Sequence, residues 1–92
     1  MDAIKNLRKI IDAIDEQILD LIKSRMEVVI EIGNAKRATK AEVIDQTREL
    51  EIYKRLVEKA QQKGIDPNVV KKIWKLLIEA AYEAEGGENG NS

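Results

Sequence analysis

Arg25 stands where an apolar residue is due. Stepping by four and three along the chain picks out Leu7, Ile11, Ile14, Ile18 and Leu21, then Arg25, then Val28, Ile32 and Ala35. That spacing is one continuous helical seam with a cation set into it. Lys36 follows Arg25 by eleven residues, close to three helical turns, so the two project from one face with Val29, Ile32 and Gly33 between them. A glycine within a helix costs about 1 kcal/mol relative to alanine, which implies that the missing side chain leaves room on that face. Two further stretches show the same habit. Asp45, Arg48 and Glu49 extend the stripe of Ile52, Tyr53 and Leu56, and Ala81 and Glu85 extend that of Trp74, Leu77 and Ile78.

Each of these has an ordinary explanation on its own. Arg25 could snorkel from a seam and set its register, Lys36 could be a solvated helix end, and Gly33 could mark a close crossing of two helices. Asp45 reads as a helix cap, Arg48 and Glu49 as first-turn surface charges, and Glu85 as a frayed terminal acid. Arg8, beside Leu7, reads as a charge flanking the seam. The set is harder to explain away. Burying several cations costs several kcal/mol each unless anions answer them, and the acids in these stripes are too few to satisfy every guanidinium proton. The planar fork of arginine suits carboxylate or phosphate, so these residue types point to a pocket for a small dianion among helices.

Composition removes most other chemistry. The chain has no histidine and no cysteine, which excludes the usual general base at neutral pH, a thiolate nucleophile, a disulfide framework and most transition-metal sites. No metal and no cofactor are expected. Charged residues make up 36% of the chain at a net charge of −1, without blocks of one sign. Nonspecific attraction to nucleic acid or to an anionic membrane is therefore not implied. No apolar run approaches the roughly 18 residues needed to span a bilayer, and the start MDAIKNLRKII lacks a signal-like apolar core. The expected protein is soluble, untargeted and cytoplasmic.

The elements that must position these groups are three helices, at about residues 3–37, 46–63 and 67–85, and nothing alternates like a strand. The fold class is all-α. Asp2 is the expected cap of the first helix; Asp45 caps the second, which stops at Gly64 before Ile65; Asp66 and Pro67 open the third. Residues 1–85 form the domain, and the tail 86–92, GGENGNS, is expected to be disordered. A first helix of about 35 residues would measure about 52 Å, while a compact chain of this length has a radius of gyration of only about 12 Å. Such a helix overhangs its own fold. Its apolar seam needs cover, so an intertwined homodimer is expected.

LRKIIDAIDEQILDLIKSR, EIGNAK, IDQTRELE and LLIEAAYEAE together resemble the all-helical chorismate mutase family, in order and over residues 4 to 85. The resemblance implies an intertwined dimer that rearranges chorismate to prephenate, on the way to phenylalanine and tyrosine, without cofactor or metal. It places Arg25, Lys36, Arg48, Glu49 and the end of the third helix in one site, with Arg8 reaching in from the partner subunit. The arginines would hold the two substrate carboxylates. Glu49 and the Asp45 backbone would take the ring hydroxyl, and Lys36 would point at the ether oxygen. A Claisen rearrangement is unimolecular, breaking a C–O bond as a C–C bond forms, so a site without histidine or cysteine fits it. What it needs is a folded-over conformer and positive charge where electron density grows.

Two positions depart from the family pattern. Where many members carry a glutamine beside the ether oxygen this chain has Glu85, which must hold a proton in the complex to donate a hydrogen bond; some fungal members are similar here and favour acidic pH. At Ala81 relatives commonly carry a hydroxyl, so one carboxylate contact is missing or supplied by water. Two other readings compete: isochorismate pyruvate lyase on the same fold, and a noncatalytic dimerisation or regulatory module. A related lyase carries an apolar residue at the place of Glu49, which favours the mutase.

Overall fold

The computed structural model describes residues 2–86. It contains three helices and, among the described residues, no strand: α1 (Asp2–Thr39), α2 (Gln46–Lys63) and α3 (Pro67–Ala84). The expected all-α, three-helix architecture is therefore present.

Local chemistry explains each boundary. Asp2 lies inside the first turn of α1 rather than capping it. The helix continues two residues beyond the expected Arg37, because its end is set by backbone geometry at Lys40. Lys40 takes a left-handed φ of 60°, Ala41 N–H donates to Lys36 O at 2.8 Å, and Lys40 N–H donates to Arg37 O at 3.3 Å. This is the paired closure that usually recruits glycine. At α2 the Asp45 carboxylate accepts from Arg48 N–H at 3.0 Å, and the helix ends on Gly64 at φ 71°. Ile65 N–H then reaches Ala60 O at 2.8 Å. Asp66 caps α3 by accepting from Asn68 N–H at 2.9 Å, with Pro67 where no N–H is needed. α3 ends one residue earlier than expected, with Glu85 as its cap. Of the expected tail only Gly86 is described, in a turn at φ 92°; the rest lies outside the described residues.

α3 packs on both α2 and α1. The buried apolar residues are few: Val29, Ile52, Ala60, Val70, Ile78 and Ala81. Val29 is the one contributed by α1, while residues 2–21 are exposed along their whole length. The molecule measures 58 × 25 × 21 Å, with a radius of gyration of 16.6 Å, well above the about 12 Å of a compact chain of this size. α1 thus overhangs the three-helix end as a bare rod that carries Leu7, Ile11, Ile14 and Ile18 in the open.

Candidate active site

A cavity of about 400 Å³ lies where the three helices converge. Each helix lines it with one stripe of the same period. From α1 come Arg25, Val28, Val29, Ile32 and Lys36. From the start of α2 come Asp45, Arg48, Glu49 and Ile52, and from the end of α3 come Ile78, Ala81, Tyr82 and Glu85. Spacing of i, i+3, i+4 and i+7 aims side chains from one helix face into one volume. Arg25, Lys36, Asp45, Arg48, Glu49, Ala81 and Glu85 are therefore together. Arg8 is not with them: it is exposed on the overhang, about 25 Å along α1 from Arg25, so its own chain cannot bring it there.

Among the described residues Arg25 has no answering anion. Its Nη1 is buried without a hydrogen-bond partner among the described residues. Burial first, and then the like charges of Arg48 and Arg55, hold the guanidinium below its ordinary pKa. Arg48 is exposed, and among the described residues its side chain reaches only Glu51, at 3.5 Å, a surface pairing of little consequence. Two guanidinium groups thus flank the cavity with capacity for an incoming carboxylate.

Lys36 is held in place. Its Nζ donates to Glu85 Oε1 at 2.6 Å and to Val43 O at 2.7 Å. An ammonium carries three protons, so one is left for the cavity. Glu85 is only 5% exposed, and a buried carboxylate needs this kind of partner. Its backbone oxygen also accepts from Arg37 Nη1 at 3.0 Å, and the Arg37 guanidinium in turn donates to Asn34 Oδ1. Glu85 is thereby fixed at both ends. A Cβ added to Gly33 would come within 2.9 Å of Glu85 Cα. The space at Gly33 is thus filled by α3 crossing α1, and the close-crossing reading holds rather than room for a ligand.

Tyr82 closes the α2 side. Its hydroxyl donates to Glu49 Oε2 at 2.6 Å and accepts from Asp45 N–H at 3.2 Å. Burial and the Glu49 carboxylate push the phenol up to about 12, so it stays a donor at neutral pH. Tyr82 is a site residue that the misfit charges do not reveal, although it stands four residues after Ile78 and three before Glu85, on the same stripe. Nor does any periodic pattern mark Arg37 or the Val43 carbonyl.

Against known protein families, residues 7–86 match the family described as chorismate mutase type II. The chain belongs to that family. It is 32% identical over 79 residues to the chorismate mutase of Methanocaldococcus jannaschii, covering 86% of this chain and 80% of that protein. It is 33% identical over 73 residues to the bifunctional chorismate mutase/prephenate dehydratase of Escherichia coli (strain K12), covering 79% of this chain. The chain spans only 19% of that bifunctional relative's length. A further relative, the 4-amino-4-deoxychorismate mutase of Streptomyces pristinaespiralis, is 26% identical over 77 residues, covering 84% of this chain and 60% of that protein. Among the described residues no helix is long and apolar enough to cross a membrane.

Proposed function

We propose that this chain is a chorismate mutase that works as a homodimer. The observation that carries the reading is the buried, partnerless Nη1 of Arg25, set beside Lys36 and Arg48 in a cavity of a type II family member. A dicarboxylate would give these cations the anions that the protein does not supply. Arg25 and Arg48, with Arg8 of the partner subunit, clamp the two carboxylates and so select the folded conformer in which the reacting carbons meet. Glu49 receives the ring hydroxyl, and it does so without the Asp45 N–H, which already donates to Tyr82. The free proton of Lys36 meets the ether oxygen as the C–O bond breaks and the C–C bond forms. No proton changes hands, so no base is required.

Uncovered apolar surface supports the dimer. The overhanging half of α1 exposes Leu7, Ile11, Ile14 and Ile18. A second groove of about 250 Å³, formed by Ile18, Leu21, Ile22, Arg25, Ile73, Trp74 and Leu77, adjoins the site and shares Arg25 with it. A second α1 laid along this strip would cover both and bring the partner's Arg8 to the site. The test is a chorismate-disappearance assay on wild type and Arg8→Ala, with sedimentation of the same samples. The expected result is turnover by a species of two chains and a loss of at least tenfold in kcat/KM for Arg8→Ala at unchanged mass. Full activity from a single-chain species would overturn the shared site; release of pyruvate from isochorismate, supplied in a separate incubation, would favour the lyase; and no turnover of either substrate would favour the noncatalytic module.

Glu85 accepts from Lys36 in the structure, whereas a group that assists the ether oxygen must donate, and a glutamine amide always can. Glu85→Gln should therefore keep or raise kcat/KM, while Glu85→Ala should lower it about tenfold or more. A kcat/KM left unchanged by the alanine variant would remove Glu85 from the ether oxygen.

A further inference from the structure

We infer that Tyr82 is a positioning residue that presents Glu49 to the ring substituent of the substrate and so sets the demand for a hydrogen-bond donor there. The inference rests on the mutase reading of the site. A phenol has one hydrogen and two lone pairs. The hydrogen goes to Glu49 Oε2, the nearest acceptor at 2.6 Å and a charged one. Asp45 N–H fills a lone pair at 3.2 Å, and Asp45 O, at 3.3 Å, is the weaker acceptor. With its donor committed to Glu49, Tyr82 acts through that carboxylate rather than on the ligand.

The consequence falls on Glu49. Its carboxylate stands in the first turn of α2 and lines the cavity. With Oε2 taken by α3, Oε1 is what remains for a ligand. An ionised carboxylate oxygen only accepts, so the matching group on the substrate must donate: a hydroxyl fits and a bare ring carbon does not. Tyr82 also ties the end of α3 to the cap residue of α2, so Glu49 keeps its place relative to Lys36 and Glu85 on the opposite wall. An aliphatic side chain at residue 82 would leave the carboxylate free to turn about its own torsions, and fixing it would then fall to the substrate.

The test is a double-mutant cycle on chorismate with wild type, Tyr82→Phe, Glu49→Ala and the double variant, with circular dichroism and melting temperature on each. Tyr82→Phe should raise KM about tenfold and change kcat by less than threefold. In the Glu49→Ala background the same substitution should change KM by less than twofold. The advantage of chorismate over an analogue lacking the ring hydroxyl, read as KM against the analogue's inhibition constant, should shrink by the same tenfold. An unchanged KM for Tyr82→Phe overturns the inference. So does an equal effect with and without Glu49, which would mark Tyr82 as a packing residue. A wild-type chain that fails to rearrange chorismate overturns the underlying reading instead, and that outcome is separately visible.

Discussion

Lys36→Ala lowers kcat for the rearrangement by about 10²- to 10³-fold, the loss typical of removing one preorganised donor from a developing oxyanion. The geometry explains the size. Glu85 Oε1 and Val43 O hold the ammonium from two sides, at 2.6 and 2.7 Å, so it does not have to reorganise when charge builds on the ether oxygen. The substitution also strips a buried carboxylate of its partner, which destabilises the fold. The two effects separate in the double variant Lys36→Ala/Glu85→Gln, where a neutral amide replaces the orphaned charge. Its melting temperature should recover toward wild type while kcat stays low. A single variant that keeps more than a fifth of the wild-type kcat would deny Lys36 its role.

Arg25→Lys keeps the charge and still lowers kcat/KM by about 10- to 100-fold, the equivalent of one lost charge-assisted hydrogen bond of about 1.5–3 kcal/mol. The Nη1 that is buried without a partner is the atom that lysine lacks. The companion measurement is stability without substrate. Burial and the like charges of Arg48 and Arg55 work against Arg25, and it interrupts an otherwise apolar seam. Arg25→Leu should therefore melt at a higher temperature than wild type while losing activity, as expected where a residue is kept for function against stability. Lysine performing as well as arginine in the assay, or leucine melting lower, would each count against this account.

The identity of the misplaced residues is readable in the sequence. Arg25, Lys36, Arg48, Glu49 and Glu85 break apolar stripes, and a stripe is a property of one helix with a fixed period. Tyr82 was equally available on its stripe, but an aromatic residue at an apolar position raises no alarm. Gly33 carries two readings, because a missing side chain looks the same in sequence whether a ligand or another helix fills the space. Only Glu85 Cα, within 2.9 Å of where a Cβ would stand, separates the two.

From sequence alone came the three helices, the caps at Asp45 and Asp66, the stop at Gly64 and the residues sharing each face. These depend on backbone hydrogen bonds and side chains within a few positions of one another. Tertiary structure decided which faces meet. Lys36 finds Glu85 and Tyr82 finds Glu49 across 49 and 33 residues of chain, because the depth and rotation at which helices pack follow from side-chain volumes on both partners at once.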